Sequence, residues 1–326
     1  MDLLALRTRF EPHLWDFLLR KQAVVQGMVD DPALKAWLAE PHRLLSAGGK
    51  RIRPLLCLLG YAAAGGPETD EAPMPAAVAL ELFHAFALIH DDIMDRGEDR
   101  HGVPTAHRSI AAALQAQGRR GDLPHVGVSQ AIIVGDLLFS WAIEAFQGTQ
   151  ALPDRAQAAS RAFFAMSDEV MVGQMLDIDL TTRARSSFAE IDRKMQLKTA
   201  GYTFIKPLQI GLALAGADGR LMEFAQAFGV SLGAAFQIQD DLLDAFGATL
   251  QTGKTALSDL RDHQHSWLTQ WVLERGSAAD RAVLAAEWGN AALGEAAAAA
   301  VRGAFVRSGA AQAALAACRE RLAQAE

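Results

Sequence analysis

The stretch Ala85-Phe86-Ala87-Leu88-Ile89-His90-Asp91-Asp92-Ile93-Met94-Asp95 passes from apolar to acidic within a few residues. Gly233-Ala234-Ala235-Phe236-Gln237-Ile238-Gln239-Asp240-Asp241-Leu242-Leu243-Asp244 does so again. Each closes in the pattern D-D-x-x-D. On a helix, the first and last aspartate of each pattern lie four positions apart and share a face. Three carboxylates at the end of an apolar helix repel one another and resist desolvation. One such cluster alone reads equally well as a solvated helix end. Two, each with an apolar approach, fit better with clusters that meet across a cavity and hold hard divalent cations, whose natural ligands are oxygens.

Composition sets the class around these two stretches. The chain has 326 residues, and no Pro/Ser-rich linker divides it, so a single domain over 1–326 is expected. Its hydrophobic share is 51% with only 7% aromatic, which points to a core of Ala, Leu, Val and Ile. No strict alternation persists, so the pattern is helical nearly throughout. A net charge of -7 and the lack of a lysine-rich patch offer nothing to nucleic acid. Cys57 and Cys318 have apolar neighbours and read as free thiols in a reducing compartment. The first residues, with Asp2 and no long apolar core, do not resemble a signal peptide. No uninterrupted apolar run reaches the ~20 residues of a bilayer span. The expectation is a cytoplasmic protein with no transmembrane segment.

Amphipathic helices are expected over 1–40, ending near Pro41, and further helices over 76–94, 129–146, 153–180, 188–200, 204–215 and 221–246. From 278 onward the chain is Ala-rich and helical. Between 41 and 76 lies Gly48-Gly49-Lys50-Arg51-Ile52-Arg53-Pro54. The glycines let backbone amides approach an anion, and Lys50, Arg51 and Arg53 supply positive charge, so the segment reads as a phosphate or diphosphate site. The spacing of a P-loop is absent. Lys198-Thr199 precedes a possible backbone bend at Ala200-Gly201, and Lys254 follows Gly253; each is weak by itself. His84 lies about two turns before Asp91 on the same helix face, where a core histidine is the commoner outcome. Gln237 either reaches the cavity or bonds within the helices.

Taken together, the sequence resembles the trans-isoprenyl diphosphate synthases, the polyprenyl synthetase family. The resemblance covers roughly residues 40 to 270. It rests on GGKRIRP at 48–54, HAFALIHDDIMD at 84–95, Arg100-x-Gly102-x-Pro104-Thr105-x-His107, Gly135-Asp136, Lys198-Thr199, FQIQDDLLD at 236–244 and Gly253-Lys254. It implies an all-α helical bundle around a central cavity, and elongation of an allylic diphosphate by isopentenyl diphosphate. It further implies that Asp91, Asp95 and Asp240 bind about three Mg²⁺, with Asp92, Asp241 and Asp244 in support. Arg100, Lys198 and Lys254 would neutralise the allylic diphosphate, and Thr199 and Gln237 would line the reacting carbons. Isopentenyl diphosphate would sit on Gly49, Lys50, Arg53 and His84. Prenyl chains in this family grow alongside the helix before the first aspartates, so Phe86, with Ala87 beside it and Phe83 nearly a turn lower, would set the product length. The short first motif with one aromatic at Phe86 resembles geranylgeranyl diphosphate synthases, which implies a C20 product, with C15 next, and a homodimer.

Two departures bear on this reading. The second of the family's paired arginines is replaced by His101, a weaker, pH-dependent charge for isopentenyl diphosphate. The late D-x-x-x-G-K-x-T segment reads Asp259-Leu260-Arg261-Asp262-His263-Gln264-His265-Ser266, without its Gly and Lys. Each lost cation would cost about 1–3 kcal/mol of charge-assisted binding. A low-activity or regulatory subunit of a heteromeric synthase is therefore the alternative. A class I terpene cyclase fits less well, because the second motif is D-D-L-L-D and a second diphosphate site has no use there.

Overall fold

The structure is a computed structural model describing residues 2–28, 30–100, 102–247 and 257–325. Among these the elements are helical, apart from one antiparallel pairing of Asp99–Arg100 with Val103–Pro104. The all-α class follows from the absence of sustained alternation in the sequence. The chain forms two compact units, residues 1–160 with 207–217 and residues 161–206 with 218–326.

The first unit contains α1 (Leu3–Gln26), α2 (Pro32–Trp37), α3 (Glu40–Ser46), α4 (Ile52–Ala63), α5 (Met74–Met94), α6 (Ala106–Ala116) and α7 (Leu123–Gln147). It also holds the start of α8 (Pro153–Thr181) and nearly all of α10 (Lys206–Ala215). Asp2 caps α1 by accepting from the Leu4 amide. Leu6, Phe10, Leu14 and Leu18 then recur every four residues and bury one face. Pro41 does not end a helix, as the sequence suggests. It stands in the first turn of α3, where its missing N–H has no partner to lose. α5 is buried for most of its length and packs chiefly on α7.

The second unit holds the rest of α8, then α9 (Phe188–Met195), a π-helix (Gln196–Ile205) and α11 (Gly219–Phe246). Helices α12 (Ser258–Arg261), α13 (Trp267–Arg275), α14 (Ala278–Glu287), α15 (Glu295–Arg307) and α16 (Ala310–Ala325) complete it. Ser187 and Glu190 open α9 with a reciprocal capping box. One helix is expected over 188–200; instead the turn widens at Gln196, a geometry that often marks functional sites. Ile238, Leu268, Val272, Leu284, Val301 and Phe305 lie in this unit's core.

Two helices, α7 and α11, do have the length and mean hydropathy of a bilayer span, which a search for uninterrupted apolar runs misses. Each also buries a face inside its own unit: Val134, Leu138 and Trp141 on α7, Ala235 and Ile238 on α11. Core helices of water-exposed proteins meet the same test.

Candidate active site

In the first unit, the acidic cluster sits where α5 ends. The carbonyl end of a helix carries partial negative charge, so acids there raise the demand for a cation. Arg100 meets part of it. Its Nε donates to Asp92 Oδ1 at 2.7 Å, and its Nη2 lies 2.5 Å from the same oxygen and 3.6 Å from Asp91 Oδ2. Burial pushes the Asp92 carboxyl up, against the pull of Arg100. Burial also opposes the Arg100 charge, but Asp92, then Asp91 and Asp95, outweigh it and hold the guanidinium above its ordinary value. Asp92 is thus a buried anchor for Arg100, while Asp91 remains half-buried and Asp95, the helix cap, is exposed.

The residue before this cluster explains Gly135-Asp136. His90 Nε2 lies 3.1 Å from the Ile132 carbonyl and 3.7 Å from Asp136 Oδ1, and a Cβ on Gly135 would fall 2.3 Å from that nitrogen. Only glycine leaves room for the ring. Below it, Phe86 touches His90 at 4.8 Å between centroids, Phe83 at 5.3 Å and Phe139 of α7 at 5.1 Å. Phe83 is fully buried; Phe86 and Ala87 are half-buried. Sequence reasoning misses Phe139, because nothing in a linear pattern pairs α5 with α7.

The glycine-lysine turn is shaped as expected, with Gly48 at φ 129° and Gly49 at φ 142°, conformations that residues with a Cβ avoid. Arg51 is spent on the protein's own carboxylates. It is buried, with Nη1 donating to Glu81 Oε1 at 2.8 Å, Nε to Glu11 Oε1 at 3.1 Å and Nη2 to the Leu45 carbonyl at 2.8 Å. The reason is its φ of 53°, which starts α4 with the side chain turned into the core. Lys50 stays exposed and Arg53 half-buried. Burial pushes the Glu81 carboxyl up, and both Arg51 and Arg53 pull it down; Glu81 stands three residues before His84 on α5.

In the second unit, Lys198 and Lys194 share one buried carboxylate. Lys198 Nζ is 2.5 Å from Asp177 Oδ2 and Lys194 Nζ 2.9 Å from Asp177 Oδ1. Burial works against the Asp177 charge, yet the two lysines hold its carboxyl below the ordinary value. Asp177 is another residue that sequence reasoning misses. A single aspartate on α8 carries no signal until two lysines four apart fold against it. Thr199 Oγ1 donates to Gln237 Oε1 at 2.9 Å, and Gln237 Nε2 donates to Asp241 Oδ1 at 3.1 Å. The Trp267 amide, first in α13, donates to Asp241 Oδ2 at 2.9 Å. Burial nevertheless pushes Asp241 up to about 6. Asp244 accepts from the Ser258 amide at 2.9 Å, Ser258 Oγ at 2.6 Å and the Asp259 amide at 3.2 Å. Asp240 is the half-buried member of the three.

His101 and Lys254 lie outside the described residues. In the late segment, His263 stands in the left-handed region at φ 57°, the place that Gly holds in the D-x-x-x-G-K-x-T pattern. Gln264 follows in place of Lys, its Oε1 buried and without a hydrogen-bond partner among the described residues.

No group of three or more His, Cys, Asp or Glu side chains stands ready to hold a metal among the described residues. Mg²⁺ needs no such cage: it is bound through one or two carboxylates together with waters and substrate phosphates. Hard oxygen donors at Asp91, Asp95 and Asp240, with their neighbours already tied to protein donors, fit that chemistry.

These features define an all-α class with two acidic helix ends and a basic glycine turn, and the comparisons place it in a family. The polyprenyl synthetase family model matches residues 35–302. The geranylgeranyl diphosphate synthase of Methanosarcina mazei is 33% identical over 233 residues, 72% of this chain and 66% of that protein. The geranylfarnesyl diphosphate synthase of Natronomonas pharaonis is 32% identical over 249 residues, 72% of this chain and 67% of that protein. The matched stretch thus spans about two thirds of the length of these relatives. A crystal structure of geranylgeranyl pyrophosphate synthase from Corynebacterium glutamicum, complexed with isoprenyl diphosphate and magnesium, superposes with a TM-score of 0.93 at 31% identity. That likeness covers 100% of this chain and 92% of that one. The chain belongs to the polyprenyl synthetase family, and with it to the prenyltransferases.

Proposed function

We propose that the chain is an active short-chain prenyltransferase that condenses isopentenyl diphosphate with an allylic diphosphate. The observation that carries this is the division of labour within each D-D-x-x-D. Asp92, Asp241 and Asp244 are buried and bonded to protein donors, and Asp91, Asp95 and Asp240 keep exposed or half-exposed carboxylates. Mg²⁺, about three ions, would be held by Asp91, Asp95 and Asp240, and supplies Lewis acidity toward the departing diphosphate. Arg100 and Lys198, with Lys254, add fixed positive charge for the same group. Lys50, Arg53, His84 and the Gly49 turn bind isopentenyl diphosphate, with His101 as a weaker aid. Thr199 and Gln237 face the reacting carbons, which must be kept from water. Phe86, backed by Phe83 and Phe139 and flanked by Ala87, limits the growing chain and favours a C20 product over C15.

The whole of 1–326 serves as one catalytic domain, working in the cytoplasm as a homodimer. Support for the dimer comes from α8, where Phe164 (51% exposed), Met171, Met175 (70%) and Ile178 form an apolar stripe, and Val172 (53%) lies alongside. Incubation with Mg²⁺, isopentenyl diphosphate and a C5, C10 or C15 allylic diphosphate tests the activity. Longer linear diphosphates support it, and a hydrocarbon from the allylic substrate alone would refute it in favour of a cyclase. One observation favours a low-activity or regulatory subunit: Gln264 where the pattern has Lys. If that loss limits binding, Gln264→Lys should lower KM for a diphosphate substrate about tenfold or more.

A further inference from the structure

His265 is fully buried, and no role given above uses it. Its Nε2 lies 3.0 Å from the Arg183 carbonyl and its Nδ1 2.7 Å from Ser186 Oγ, with the Trp288 ring at 4.5 Å. Two residues earlier, His263 Nδ1 lies 2.6 Å from the Thr181 carbonyl, and its ring stacks on Trp288 at 4.4 Å. Both imidazoles therefore fasten the 263–266 backbone to the end of α8 and the chain that follows it. On its other side the same short segment ends on the site. The His265 carbonyl accepts from Lys194 Nζ at 2.9 Å, and the Trp267 amide holds Asp241. Lys194 shares Asp177 with Lys198, and Asp241 is bonded to Gln237 and through it to Thr199.

We propose that His265 is a positioning residue: its imidazole fixes the 263–267 backbone so that Lys198 and the Thr199-Gln237-Asp241 chain are set to receive a diphosphate. The proposal rests on the role given to Lys198 above. It assigns a task to a segment that lacks the pattern's Gly-Lys pair and carries two histidines there. The hydrogen bonds around the ring are specific. The Arg183 carbonyl only accepts, so Nε2 carries a proton. Gln270 Nε2 is spent on the Ser186 carbonyl at 2.9 Å and Glu274 Oε1 at 2.7 Å, and Ser186 Oγ, whose one hydrogen a neutral ring accepts at Nδ1, lies 2.8 Å from Gln270 Oε1. The charged or titratable groups around the ring are His263 on its own segment, Arg183 on the preceding loop, Glu190 and Lys194 from α9, and Glu274 beyond Gln270.

The test is calorimetric titration of the full-length protein with inorganic pyrophosphate and Mg²⁺. His265→Ala is expected to weaken binding about tenfold or more, the scale of one lost hydrogen bond to a charged group. His265→Gln, whose amide restores a donor toward Arg183, should stay within about threefold of wild type. Wild-type protein that binds no pyrophosphate overturns the role given to Lys198 rather than this proposal. Binding that is equal in wild type and His265→Ala overturns the proposal itself, as does an equal loss in the Ala and Gln variants. Should His265→Ala not fold, Ser186→Ala, which removes the Nδ1 partner and its bond to Gln270 Oε1, takes its place: affinity about threefold or more below wild type is expected, and unchanged affinity overturns the proposal.

Discussion

Arg51 and Arg53 stand two residues apart in one basic turn and have opposite fates. Arg51 is enclosed by Glu11, Glu81 and a backbone carbonyl, and Arg53 stays half-exposed. Removing one partner of a buried ion pair leaves an uncompensated charge. Arg51→Ala is therefore expected to cost about 3–5 kcal/mol of stability in urea unfolding, whereas Arg53→Ala raises KM and leaves the unfolding midpoint nearly unchanged. At Phe86, truncation opens space against Phe83 and Phe139. Phe86→Ala is expected to lengthen the product by at least one C5 unit, read by chromatography of the dephosphorylated alcohols. An unchanged product spectrum would show that the floor lies elsewhere.

Within α11 a single turn carries both a candidate metal ligand and two struts. Asp244 caps α12 through Ser258 and Asp259, so Asp244→Ala should lower stability by about 1–2 kcal/mol in the same unfolding assay. Asp240→Ala should leave the melting temperature alone and abolish turnover. The segment joining α12 to α13 has its own signature in pH. Burial, then His263 and Lys194, hold His265 below its ordinary value of 6.5. The unfolded chain therefore binds this proton more readily than the folded one, and stability is lost as pH falls below 6.5 toward the depressed folded value. His265→Gln is expected to flatten the fall of the melting temperature below pH 6.5 relative to wild type. Parallel curves for the two proteins would contradict the assignment.

For the whole molecule, the exposed apolar stripe of α8 is what supports the proposed dimer. Sedimentation equilibrium should return about twice the 35.0 kDa of one chain. Met175→Asp combined with Val172→Asp, at positions 70% and 53% exposed, should shift that mass toward the monomer while leaving helical content intact. A monomeric wild type would remove the stripe as support for association. Chelation by excess EDTA is expected to abolish turnover reversibly, because the Lewis acidity assigned to Mg²⁺ at the departing diphosphate is not supplied by a lysine or arginine charge.

How far the sequence reached follows from the range of each interaction. Helix class, the ends of α5 and α11, the glycine turn at 48–49 and the family itself are legible in the chain, because periodicity, capping and motif spacing are local properties. The mixed function of each aspartate cluster is not. Whether Asp92 or Asp91 meets Arg100, or whether Asp244 caps another helix, depends on segments 8 to 15 residues away returning to the same place. Asp177, Phe139 and the His263–His265 anchors were invisible for the same reason, since each acts only through a partner distant in sequence. The sequence by itself determined that two acidic helix ends and a basic glycine turn exist. Only the tertiary structure decided which of their charges are sealed into the core and which remain accessible, because desolvation is a property of packing, not of residue order.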